Sequence, residues 1–136
     1  MITQKYINDM AYRIVGCAIE VHKHIGPGLL ESVYHRCFIE ELESAGFNVQ
    51  SQLYVPISYK EKNLGGLLKL DLLVNNIIVI ELKSVEVMIP LYKAQLLSYL
   101  KLTGKPKGLL INFNCENITS QLVSLVTEEF AKLPAS

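Results

Sequence analysis

Residues 69–84 read KLDLLVNNIIVIELKS, two apolar runs that meet at Asn75-Asn76 and are interrupted by Asp71, Glu81 and Lys83. Branched aliphatic residues favour strands and asparagines tolerate left-handed turn positions, so the stretch reads as a β-hairpin. The charges are the anomaly. Each would be costly to bury unpaired, because a buried charge loses its hydration without recompense. Glu81 and Lys83 are two apart and share one face of their strand, while Ile78, Ile80 and Leu82 share the other. On the preceding strand Leu68, Leu70, Leu72 and Val74 have one parity, and Lys69 and Asp71 the opposite one.

Register decides whether the two carboxylates meet. A two-residue turn at Asn75-Asn76 pairs 74 with 77 and 71 with 80, which sets Asp71 and Glu81 on opposite faces and turns the aliphatic rows away from each other. A three-residue loop or a bulge near the turn restores both, so the hydrophobic pattern predicts one. An Asp and a Glu at neighbouring points of a sheet face, with a Lys two residues on, then suit a Mg²⁺-type centre. Hard cations take a few carboxylates, a backbone carbonyl and waters, and a lysine beside them can orient water or offset charge on a phosphate. The same residues also suit a surface ion pair on a solvated face, and the spacing alone does not decide between the two.

Working outward, apolar residues from Ile7 to Val21 recur at helical steps and predict a helix over 3–24, stopped by Gly26-Pro27-Gly28. A second helix is expected over 29–45, ended by Gly46. Residues 48–59 suit a strand whose Pro56 belongs at an edge or bulge, and Asn63 with Gly65-Gly66 supplies a turn. Strands follow over 67–74 and 77–83. Pro90 opens a helix over 91–102, and 108–113 is a nearly all-apolar strand of the kind buried on both faces. Thr119 is expected to cap a last helix reaching Leu133. The order is α-α-β-β-β-α-β-α, a mixed α/β fold with a central four-stranded sheet flanked by helices. The helix between the last two strands makes them a parallel pair.

The chain has 136 residues, half of them hydrophobic, enough for one domain over residues 1–136. Thirteen Lys and Arg balance thirteen Asp and Glu, which argues against coating nucleic acid by bulk charge. MITQKYINDMAYR lacks the features of a signal peptide, and no long apolar run suggests a membrane, so a cytoplasmic location is expected. Cys17, Cys37 and Cys115 are odd in number and set among apolar residues, so they read as reduced core residues. His22 and His24 do not share a helix face and read as helix-terminal residues. Lys101, Lys105 and Lys107 form the one local basic cluster.

The order around Asp71, Glu81 and Lys83 resembles the PD-(D/E)XK nuclease superfamily. GPGLLESVY, through Gly28, Glu31 and Tyr34, matches the motif of its GxxExxY family, a small bacterial branch. AQLLSYL continues the likeness, Gln95 and Tyr99 matching an element on the helix after the lysine strand, whereas Leu70 stands where many members have proline. The resemblance implies a restriction-endonuclease-like core and a Mg²⁺- or Mn²⁺-dependent nuclease that cuts nucleic acid, DNA before RNA, with metal-activated water. Asp71, Glu81 and the Leu82 carbonyl would hold the metal, Glu31 would assist, Lys83 would act on the water, and Gln95 and Tyr99 would shape the site. On residues alone, Glu31 also suits a first-turn dipole partner, and Gln95 and Tyr99 a helix boundary. The alternative from another class is a non-catalytic module on the same fold, a homodimer or a subunit needing a protein partner.

Overall fold

Thr3 starts the first helix: its hydroxyl accepts the Tyr6 N–H at 3.0 Å, satisfying one of the free donors of the helix end. The computed structural model describes residues 1–136. Helix α1 (Gln4–Ile25) buries the row from Ile7 to Val21 against α2 (Glu31–Ser44), which contributes Tyr34, Phe38 and Leu42. Then come β1 (Val49–Val55), β2 (Ser58–Tyr59), β3 (Lys62–Asn63), β4 (Leu68–Val74) and β5 (Ile78–Lys83). Helix α3 (Pro90–Thr103) crosses to β6 (Lys107–Asn112), and α4 (Ile118–Gln121), β7 (Val123–Val126) and α5 (Glu128–Ala131) complete the chain. The main sheet runs β1-β4-β5-β6-β7, with β2 and β3 as a separate two-stranded ribbon. As α3 requires, β5 and β6 are parallel, and the other pairs are antiparallel.

Each face of the sheet has its own core. Val74, Ile78, Ile80, Leu82 and Ile111 pack under α1 and α2, while Leu73, Val79 and Leu110 pack with Leu96 and Leu100 of α3. The crossover helix lies so close to β6 that a Cβ at Gly108 would come within 2.9 Å of Leu96.

The β4–β5 turn is the three-residue loop that the hydrophobic pattern requires. Val74 pairs with Ile78 and Leu72 with Ile80, leaving Asn75, Asn76 and Ile77 between them. Asn75 and Asn76 hold φ of 51° and 58°, and the Ile77 N–H closes the turn on the Val74 carbonyl at 3.0 Å. Pro56 follows the end of β1, an edge strand, as its missing N–H demands.

Two expectations are corrected. The sheet has five strands, because residues read as the last helix form α4, β7 and α5. Leu122-Val123-Ser124-Leu125-Val126 is apolar enough to satisfy either period, and β6 supplies a free edge on which it pairs, Leu110 with Val123 and Lys107 with Val126. The helix cap lies at Asn117, whose side chain accepts the Thr119 N–H. The other correction is to the strand read over 48–59, which stops at Val55. The chain reverses further on, at Lys60-Glu61, while Asn63 with Gly65-Gly66 makes the expected turn before β4, the Gly65 N–H donating to Asn63 Oδ1 at 2.8 Å.

Candidate metal centre

Beyond the Leu72–Ile80 pair, the backbones of β4 and β5 are joined through side chains. The Asp71 N–H donates to Glu81 Oε2 at 2.9 Å, and the Leu82 N–H donates to Asp71 Oδ2 at 3.0 Å. Each side-chain carboxyl thus fixes the backbone of the other strand. The backbone is irregular here on both sides. Leu72 packs under α1 and α2 while Leu70, of the same parity, packs under α3, so the facing of β4 changes at Asp71. Opposite it, Gln52 of β1 holds a left-handed φ of 52°. Such irregularities re-aim side chains, and this one puts Asp71 beside Glu81.

The electrostatics follow from that crowding. Glu81 is buried, and its carboxyl is pushed up to about 8, first by burial and then by the charge of Asp71, against the opposing Asp71 N–H and Lys83. Burial and Asp71 also raise Glu31, which Lys83 and His35 partly offset. The Tyr99 hydroxyl is raised by burial and by Glu81 and Asp71, with the Gln95 side chain opposing. Glu31 on α2 and Tyr99 on α3 therefore lie within electrostatic reach of the two strand carboxyls, and Gln95 lies beside Tyr99.

Lys83 takes a different place from the ion pair that its spacing allows. Its ammonium lies 4.4 Å from the centroid of the Tyr92 ring, and the ion pairs of the molecule are elsewhere. The aromatic face holds the cation where its charge still offsets part of that of Glu81 and Glu31. The Leu82 side chain is buried under α1 and α2.

The Gly28, Glu31 and Tyr34 motif forms a structural clip at the start of α2. The Tyr34 hydroxyl donates to the Gly26 carbonyl at 2.6 Å and accepts the Leu29 N–H at 3.2 Å, while its ring stacks on Phe113 at 4.8 Å. Gly28 takes a φ of 94° in the loop so closed. Ser84, next to Lys83, donates to the Leu29 carbonyl at 2.5 Å. The loop is thereby tied to the end of β5, and Glu31 begins its helix beside the site.

Three neighbours escaped the sequence reading. His35 Nε2 lies 3.3 Å from the Asp71 carbonyl and from Ser51 Oγ, and its position four residues after Glu31 was the available signal. Tyr92, three before Gln95, was the other helical neighbour. Asn112, polar at the end of the apolar run of its strand, pairs with Lys83 and is completely buried. Its amide donates to the Val85 carbonyl and Gln121 and accepts the Val85 and Asn114 N–H groups, fixing the chain just after Lys83. The basic cluster disperses: Lys105 bonds Asn76, and Lys107 is buried against Asn8. His22 and His24 bond separate carbonyls, and the three cysteines are free.

Whether the residues fit a divalent ion turns on the donors left over. The second oxygen of Asp71 and of Glu81 takes no protein hydrogen bond, and neither is a fully buried orphan, so each keeps some access to solvent. No three His, Cys, Asp or Glu side chains stand close enough to cage a metal. Two hard carboxylates facing water suit an ion such as Mg²⁺, which keeps several waters and relies on one or two carboxylates plus substrate phosphate. A family model described as the PD-(D/E)XK nuclease superfamily matches residues 8–124. No curated protein and no solved structure gives a significant match.

Proposed function

The chain belongs to the PD-(D/E)XK nuclease superfamily, and from that premise we propose that it is a Mg²⁺- or Mn²⁺-dependent nuclease that hydrolyses phosphodiester bonds, with DNA as its substrate. The Gly28–Glu31–Tyr34 motif supports placing it in the GxxExxY branch. One observation carries the reading: the paired carboxylates of Asp71 and Glu81 span the opened end of β4 and β5, each with an oxygen that keeps some access to solvent.

A bound divalent ion would supply Lewis acidity to the phosphate and the attacking water. Asp71 and Glu81 would hold that ion with the Leu82 carbonyl, and Glu31 would assist from the start of α2 through water. Lys83 offsets charge on the phosphate and orients the attacking water, steadied by Tyr92. Gln95 and Tyr99 bound the site on the α3 side, and Asn112 keeps Lys83 in register.

A second reading, a non-catalytic module, is favoured by one specific observation: the absence of a closed cage of three ligands. Cleavage of mixed DNA and RNA substrates separates the two. The nuclease reading expects cleavage that a chelator abolishes and Lys83→Ala largely removes. Persistent absence of cleavage with either ion, by protein that remains folded, supports the module instead.

A further inference from the structure

Three acids mark the site, yet the substrate of a nuclease is a polyanion, so cations must stand close by. Residues 54–69 carry Lys60, Lys62 and Lys69 against Glu61 alone, in a chain whose net charge is zero. In the same segment Tyr54 is 64% and Tyr59 60% exposed. We propose that the β2–β3 ribbon, with Tyr54 and Lys69 at its base, is a binding arm for single-stranded nucleic acid. This deepens the nuclease reading and rests on it for the destination of the strand.

The ribbon is built to display these side chains. Tyr59 pairs with Lys62, and the ladder continues through the Leu64 N–H on the Ile57 carbonyl at 2.9 Å and the Ile57 N–H on the Gly65 carbonyl at 3.0 Å. Lys60 and Glu61 both hold left-handed φ, 49° and 66°, at the tip. That conformation is disfavoured for a non-glycine residue, and it matches the twist of a tight hairpin. The turn thus presents Lys60 at the tip.

Each exposed ring has a lysine over it: Lys60 Nζ is 5.5 Å from the Tyr59 centroid, and Lys69 Nζ is 5.9 Å from that of Tyr54. Tyr54 and Lys69 are direct partners across β1 and β4. Gly66 backs Tyr54, since a Cβ there would lie 3.4 Å from the Tyr54 Cβ. A ring with one face open and a cation over the other offers a surface for one base and a charge for one phosphate of the same strand.

Position links the arm to the site. Lys69 precedes Asp71 by two residues of the same strand, about 7 Å. A strand lying on the arm therefore comes to the part of β4 that carries Asp71, where the facing of the strand changes. Duplex DNA keeps its ring faces stacked inside, so tyrosine stacking selects unpaired bases.

Fluorescence anisotropy in chelator tests the arm apart from cleavage, using single-stranded DNA of about 20 nucleotides, longer than one such site needs, with RNA and blunt duplex of equal length. Wild type should bind the single strand at least about tenfold more tightly than duplex. Tyr54→Ala and Tyr59→Ala should each weaken binding about tenfold, and Tyr59→Phe should retain it. Lys60→Ala with Lys62→Ala should reduce the salt slope by about one to two. Binding to either single strand supports the arm, and the preference names the sugar. No binding by wild type, equal affinity for duplex, or wild-type affinity in both tyrosine variants overturns it. Tyrosine-dependent binding without cleavage would sink the nuclease reading and leave the arm standing, whereas cleavage that Tyr54→Ala and Tyr59→Ala leave unchanged in KM would do the reverse.

Discussion

Glu81 is buried beside the carboxylate of Asp71, and without a cation it relieves the repulsion by keeping a proton. Its folded value of about 8 lies above the ordinary 4.5, so the native state holds a proton that the unfolded chain releases between those values. The stability this group contributes is fully present below the ordinary value and is lost as pH rises through the folded one. In chelator, the protein should therefore melt at a lower temperature at pH ~9 than at pH ~6, and Glu81→Gln should flatten that difference. An unchanged slope in the variant would place the titration elsewhere. Lys83 divides chemistry from architecture. Lys83→Met keeps the stem and a sulfur contact for Tyr92, so fold and metal binding should persist while cleavage falls at least ~10²-fold. Cleavage at the wild-type rate would remove Lys83 from the mechanism. Asp71, Glu81 and Lys83 were legible because charges interrupt an apolar pattern. Tyr92, His35 and Asn112 were not, because each acts through a partner distant in sequence.

At the scale of elements, the register of β4 and β5 was legible because two aliphatic rows and two carboxylates required the same parity. The change of facing at Asp71 was not, since it depends on Gln52 of a neighbouring strand. Likewise β7 was hidden, because four apolar residues in five fit both periods and only the free edge of β6 decides. The Tyr34 clip makes a test at this scale. Tyr34→Phe retains the stack on Phe113 but leaves the Gly26 carbonyl and Leu29 N–H without their partner. Urea denaturation should show a loss of about 1–3 kcal/mol. Metal affinity should fall with it if the loop positions Glu31. A variant as stable as wild type would mean that water replaces the hydroxyl at no cost.

For the whole molecule, the balanced charge conceals a polar arrangement: acids at the opened end of the hairpin, and lysines with exposed tyrosines on the ribbon beyond. No helix is long and apolar enough to cross a membrane. The mixed sheet flanked by helices was legible from the order of periods, and so was the parallel pair, because a helix must cross between its strands. The ribbon was not, because its turn residues are a lysine and a glutamate that carry no turn signal. What unites the levels is the cation proposed to lie between Asp71 and Glu81, and calorimetric titration of Mn²⁺ into metal-free protein tests it. Wild type should bind, and at free metal about a hundredfold above Kd the native state should gain about 2.7 kcal/mol, read as a rise in melting temperature. Asp71→Asn, which keeps an oxygen for the Leu82 N–H, should lose both the binding and the rise while remaining folded. No binding by wild type at millimolar Mn²⁺, or equal binding by Asp71→Asn, would contradict the metal centre.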